Sequence, residues 1–375
     1  MAYTETTRTS YGKRLGNSLG GIVTGFLLFI AGTVLIWWNE GRAVKTTKML
    51  KEAQGQVVEM PDITKVDPAF EGLLVHAQGF ATTTDSLVDS QFKLGTRAIA
   101  LHRNAEYYQW VEHSKSETKD KIGGAQETTT TYTYDLEWVS EPINSANFHD
   151  PDYKGENTVK QNVEDLDLYA KDVTFGAYKL NNSQITSIGG EVPFQVDSVS
   201  NVIYIGENPN KPDVGDVRIT FTQVLPAEIT IIAAVAGNSF VPFKAKNGQT
   251  FSALRMGDVP QEQIFESAHA SNKMLLWVLR IVAFFLIFAG LKSIFSIIET
   301  LLKVLPFLAN IVGWGVGLVC GVVAFVWTLL VAAIAWVAYR PVVAIVLLAI
   351  AGVTIWYFAT HKKKGTPEAP AAPEA

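Results

Sequence analysis

The apolar residues of this chain fall into one run near the start and a cluster of runs after Met274, with a long polar stretch between them. Ile22 to Trp38 carries no charge, and later runs fill most of 274–358. A bilayer core about 30 Å thick takes roughly 20 apolar residues in a helix. Such a chain is a membrane protein with one large aqueous insert between its first and second spans.

Four spans are expected. The first is 19–38, ending in Trp37 and Trp38, whose amphipathic rings suit the interface. No small-x-small cleavage site follows it, so it is read as an anchor and not a signal peptide. The second is 274–291, interrupted only by Arg280, which lies near the end facing the insert and is expected to snorkel. The third is 311–339 and the fourth 341–360, with Arg340-Pro341 turning between them. Between spans two and three, 292–310 places Lys292, Ser296, Glu299 and Lys303 on one helical stripe and apolar residues elsewhere. A helix in the cytoplasmic interface is expected there, and a continuation of span two is the alternative. Small residues four apart, Gly21 and Gly25 in span one and Gly313, Gly317 and Gly321 in span three, mark close helix packing.

An even number of spans puts both ends on one side. Arg8, Lys13 and Arg14 in the tail 1–18, then Lys292 and Lys303, then the basic part of the Pro- and Ala-rich tail 361–375 fall together by parity, against Arg42, Lys45, Lys48 and Lys51. Three positive segments outweigh one, so both termini read as cytoplasmic and 39–273 as periplasmic, or lumenal in a eukaryote. The lone cysteine, Cys320, lies in span three, leaving the insert without disulfides. With the short charged N-terminus and the Pro-Ala tail, this favours a bacterial inner membrane.

From Gly41 to Lys273 the insert has 21 Lys and Arg against 31 Asp and Glu, a net charge of −10 that excludes nucleic-acid binding. Its pattern is mostly strand. Thr130–Val139 alternates best, with Tyr132, Tyr134, Leu136 and Trp138 on one face, and Ala105–His113 is expected to pair with it across a polar loop, Ser114–Glu127. Other strands are expected at Gly72–Ala81, Asn201–Gly206, Asp216–Leu225, Glu228–Ala236, Phe240–Ala245 and Thr250–Arg255. Helices are expected at Ala43–Gln54, at Thr158–Ala170, and from Asp258, whose spacing to Gln261 suggests a capping box. The fold class is thus α+β: four transmembrane helices with a large β-rich extracytoplasmic domain, on helical stalks, between the first and second.

Chemistry is sparse. The chain has no nucleophile elbow, P-loop, HExxH or GxGxxG pattern, and its six histidines lack ligand spacing. His149-Asp150-Pro151-Asp152 and Asp165-Leu166-Asp167 read as solvated acidic turns and not as calcium loops. No catalytic residue, metal site or cofactor is assigned, and the chain is read as a non-enzyme.

Asn39-Glu40-Gly41-Arg42, Tyr108-Gln109-Trp110-Val111-Glu112, Glu137-Trp138, Ile143-Asn144-Ser145, Glu207-Asn208-Pro209, Val214-Gly215-Asp216 with Arg218, Val241-Pro242-Phe243, Gly257-Asp258 and Tyr339-Arg340-Pro341 follow one another in this order. In these motifs the chain resembles the LUMA, or transmembrane protein 43, family. The resemblance implies four spans with both termini cytosolic, self-association, and a scaffold that organises membrane proteins or lipid patches; it supplies no catalytic residue. Asn39, Glu40, Gly41, Arg42 and Arg340 are the candidate membrane junction, where Glu40 and Arg42 can pair with the second stalk or with lipid head groups. Glu207, Asn208, Pro209, Asp216 and Arg218 form a candidate domain loop. The expected partners are the lipid bilayer and further copies of the chain. The competing readings are an oligomeric channel or transporter, and a lipid-sensing or lipid-modifying protein.

Overall fold

In a computed structural model that describes residues 3–197, 200–304, 306–340 and 353, long helices carry a β-rich domain at one end. Helix α1 runs Tyr11–Gln54, α2 is the single turn Asn182–Ile185, α3 runs Gln261–Leu302 and α4 runs Pro306–Tyr339. Among the described residues three helices, α1, α3 and α4, are long and apolar enough to cross a membrane. They contain the first three expected spans; the fourth, 341–360, lies outside the described residues.

Helices α1 and α3 pack antiparallel along a seam of glycines. A Cβ on Gly25 would stand 2.6 Å from the Gly290 carbonyl oxygen, and one on Gly32 2.9 Å from that of Ala283. Small residues let the backbones meet where lipid removes the hydrophobic drive. Ser293 donates to the Gly21 carbonyl at 2.7 Å, holding the same seam. The stretch 292–310, expected as an interfacial helix with a continuation of span two as the alternative, follows the alternative as far as Leu302: α3 runs on without a break and sets Ser293 and Ile294 against Gly21 and Gly25, and α4 begins at Pro306. The capping box at Asp258 does not form either: α3 starts at Gln261 after Pro260, with no side-chain cap.

Two seven-stranded sheets build the domain. In one, Leu74–Thr83, Val173–Phe175, Tyr178–Lys179, Ser239–Val241 and Ala227–Ala236 close into a small barrel, because the long strands Leu74–Thr83 and Ala227–Ala236 also pair directly. Val75, Ala77, Ala81, Ile229, Ile231 and Phe240 fill it. The outward side chains Leu74 and Ile232 meet Leu50 of α1 and Phe265 of α3. Both faces of Ala227–Ala236 are therefore buried, which accounts for its unbroken apolar run.

The second sheet centres on Ala100–Asp120, paired with Gln126–Val139 and Val217–Val224. The expected loop Ser114–Glu127 is instead mostly ladder, leaving only 121–125 as the turn, at Gly123 and Gly124 with positive φ. Threonine favours strand through its branched Cβ, and facing hydroxyls bond across it: Ser116 with Thr130 at 2.9 Å, Thr118 with Thr128 at 3.2 Å.

The N-terminal residues, expected as a tail, form a strand: Tyr3–Thr9 pairs with Gln126–Tyr132 over seven residues. This ladder ties the first residues to the insert from which the first span was expected to separate them. The helix expected at Thr158–Ala170 is absent. Its backbone is claimed by tertiary partners: the Lys160 amide donates to the Gly215 carbonyl, the Val163 amide to the Tyr107 hydroxyl, and Leu166–Tyr169 pairs with Ala100–Arg103.

The hairpin is long enough to run the length of the helices. Its 21-residue strand spans about 70 Å at roughly 3.3 Å per residue, and the 44 residues of α1 about 66 Å. They join at both ends: the domain seats on the C-terminal end of α1, and the hairpin tip reaches the N-terminal end. There Arg14, 7% exposed, pairs with Asp120 at 2.7 Å and donates to the Gly124 carbonyl at 2.9 Å, while the Gly123 amide donates to the Val304 carbonyl just beyond α3.

Candidate functional site

The candidate junction residues converge where α1 leaves its apolar run. Glu40 and Asn39, 2% and 0% exposed, sit about two turns beyond the midpoint of α1 and face α3. Arg280 lays Nε and Nη2 on one oxygen of Glu40, each at 2.6 Å. The expected snorkelling of Arg280 is thus replaced by an ion pair, because a partner lies within reach. Asn39 donates to the Leu276 carbonyl at 3.0 Å and accepts from Arg42, which in turn donates to Asn272 at 3.0 Å. Asn272 returns its amide to the Ala43 carbonyl and the Thr47 hydroxyl. A charged group in an apolar setting needs such a closed set of partners.

Gly41 is required by close approach: its Cβ would stand 2.5 Å from the ring of Tyr339 at the end of α4. Tyr339 also lies 5.8 Å from Trp37, while Arg280 covers Trp277 and Arg340 covers Trp336. The structure therefore brings Asn39, Glu40, Gly41, Arg42 and Arg340 together, and adds Asn272, Arg280, Trp277, Trp336 and Tyr339. Asn272 is the residue that sequence reading passed over. Its signal is one amide just before an apolar run.

The helix-packing glycines separate. Gly21 and Gly25 face α3, Gly313 lies against Glu299 of α3 and Gly321 near Phe288, while among the described residues nothing lies within 4 Å of a Cβ on Gly317. Gly12, Gly16 and Gly20 on α1 are equally open.

In the domain loop Asp216, fully buried, is the hub. It accepts from the Lys160 ammonium, the Tyr204 hydroxyl and the Asp213 amide. Burial alone would raise its pKa, but the Asp213 amide, Lys160 and Tyr204 together hold it below the usual carboxylate value, and the hydrogen bond to Asp216 raises that of Lys160. Tyr204 also reaches the Asn208 carbonyl, while Glu207, Asn208 and Pro209 themselves are exposed. Arg218 takes a different partner, Glu106, at 2.7 Å and stacks on Trp138. The loop is a turn pinned from beneath, and its candidate residues split into two groups.

A third cluster stands on the hairpin. Glu112 accepts from the Tyr134 hydroxyl and from both the amide and the ring of His149. Burial and the Glu112 hydrogen bond push the Tyr134 phenol up to about 12. His149 stacks on Tyr132 and Tyr153 on Tyr134, so the aromatic face of Thr130–Val139 is packing. Both acidic turns are held by protein donors: Asp150 accepts from Asp152, and Asp165 from Ala105. His113, Asp135 and Glu137 bring one ligand atom each within 4.8 Å on an open face, with His113 already on Glu137. Three exposed groups of this kind are ordinary cross-strand neighbours.

The class that emerges is an integral membrane protein in which apolar helices, tied to one another by a buried polar junction, carry a β-rich domain seated on an apolar cluster. Comparison with known proteins agrees. The sequence model of the transmembrane protein 43 family matches residues 107–341. Transmembrane protein 43 of Homo sapiens is 34% identical over 363 residues, 92% of this chain and 90% of that protein. That of Rattus norvegicus is 33% identical over the same shares, and the Drosophila melanogaster homologue 27% identical over 89% of this chain and 93% of its own. No solved structure matches. The chain belongs to the transmembrane protein 43 family.

Proposed function

We propose that this protein is a membrane scaffold that self-associates, and that the flank carrying the polar hairpin is where copies meet. The observation that carries the reading is the hairpin beside the apolar helices. Lys115, Glu117 and Lys119 are exposed on it, and Tyr3–Thr9 is an edge strand of its sheet. Hydrocarbon solvates neither charged side chains nor unpaired strand edges, so this flank has to be screened from lipid by protein or water. Another copy provides such a screen, and the open edge offers it backbone hydrogen bonds. The unpartnered Gly12, Gly16 and Gly20 lie on the same end of α1 as the strand. The apolar seat of the domain on α1 and α3 makes the domain and the helices one unit, so that assembly in the membrane orders the domains above it. The role requires no catalytic step and no cofactor. The apolar stretch 341–360 serves as a fourth span in this reading.

Thr7→Cys on the exposed edge, in a Cys320→Ala background, tests it by oxidation in native membranes. A disulfide-linked dimer on a non-reducing gel supports the proposal; monomer alone contradicts it. The same observation favours one second reading. Polar flanks brought together around water would enclose a pore, and conductance from purified protein in liposomes would select an oligomeric channel.

A further inference from the structure

Between α3 and α4 lies a groove of about 600 Å³, lined by Trp277, Phe284, Phe285, Leu329, Ala333 and Trp336 among others. Its walls are almost wholly apolar, and Arg280 stands in the lining at the level of the junction. We infer that this groove is a binding site for one anionic phospholipid, an acyl chain along α3 and α4 and the phosphate at the Arg280 and Arg340 guanidinium groups.

Charge argues for this occupant. Both arginines rest on tryptophans that line the groove, Arg280 with its Cζ 4.8 Å from the ring of Trp277 and Arg340 with its Cζ 5.5 Å from the ring of Trp336. Glu40 neutralises Arg280 through Nε and Nη2 alone, which leaves Nη1 of that guanidinium uncommitted. Arg340 makes no ion pair among the described residues and donates only its backbone amide, to the Trp336 and Val337 carbonyls. Among the described residues the mouth thus carries one uncompensated positive charge and a fork of free donors, and guanidinium is the group that matches phosphate geometry. Trp277 and Trp336 line the same groove, as amphipathic rings do at head-group depth. A zwitterionic lipid brings its own ammonium to this cation and loses the advantage. An uncharged chain would fill the groove but leave the arginines unused.

The test is native mass spectrometry of the full chain released from nanodiscs of equal phosphatidylglycerol and phosphatidylcholine. The wild type is expected to retain phosphatidylglycerol with about tenfold preference, the effect of a charge-assisted hydrogen bond. Arg340→Gln, which disturbs no ion pair, should lower that preference toward unity, and Ala333→Phe, which fills the groove, should reduce retention of both lipids. Equal retention of the two lipids by the wild type overturns the proposal, as does unchanged phosphatidylglycerol retention in both variants. A photoreactive phenylalanine analogue at position 333 gives an independent readout. Its adduct should carry the mass of phosphatidylglycerol, and an adduct to the chain itself shows that the groove is filled from within and overturns the proposal.

Discussion

The Glu40–Arg280 pair is the strongest polar bond between α1 and α3, and a double-mutant cycle measures it. Arg280→Gln leaves the Glu40 carboxylate 2% exposed with no cation on it. Removing one partner of a buried pair costs about 3–5 kcal/mol. Glu40→Gln leaves Arg280 unpaired instead, but that side chain is 22% exposed and can rehydrate, so a loss of about 2 kcal/mol is expected. In the double variant two neutral amides can bond each other, and the loss should be about 1–2 kcal/mol. Coupling between the sites is then about 3–6 kcal/mol, with Arg280→Gln the costlier single change. Chemical unfolding in mixed micelles, followed by tryptophan fluorescence, gives the four free energies. Additivity within about 0.5 kcal/mol would refute the reasoning, since that is the behaviour of independent sites.

Other consequences follow from single contacts. Gly25→Leu drives a side chain into the Gly290 backbone and should cost about 3 kcal/mol or more, seen as faster proteolysis of the α1–α3 connection, whereas the same change at Gly16 should leave protomer stability within about 0.5 kcal/mol. Asp216 has a lowered pKa in the folded state, so its stabilisation is present above the unfolded value of about 3.9 and is lost as pH falls through the folded value. Asp216→Asn should therefore cost about 1–3 kcal/mol at pH 7 and remove this acid-dependent loss below about pH 4, read from melting temperature against pH. Asp120→Asn should weaken the pair to Arg14 and raise hydrogen exchange at Tyr3–Thr9 and Gln126–Tyr132, with the barrel amides unchanged.

The membrane helices were legible in the sequence because length and apolarity alone specify them. The junction was legible in part: Glu40 and Arg42 stand out as charges at a lipid boundary, but nothing local identifies Arg280 as the partner of one and Asn272 as that of the other. Those are contacts over more than two hundred residues of chain, set by the register that Gly25, Gly32 and Gly290 fix. Long alternating strands such as Thr130–Val139 were equally readable. The barrel was not, since its closure depends on strands as short as Tyr178–Lys179, where two residues hold no period. Thr158–Ala170 failed for a related reason. Its apolar stripe has helical spacing, yet Val163 is buried in the cluster with Tyr107 and Leu168 packs half-buried against it, and tertiary hydrogen bonds outcompete the helix. The N-terminal strand was missed because seven polar residues before a span look like a solvated tail until their partner strand is known.

Self-association through the hairpin flank is the centre of the account. The most direct measurement is the mass of the protein in lipid discs at low micromolar concentration, for the wild type and for a variant lacking residues 2–9. The account predicts a defined oligomer for the wild type and a smaller species once the edge strand is removed. A wild-type monomer, or an oligomer unchanged by that deletion, would contradict it.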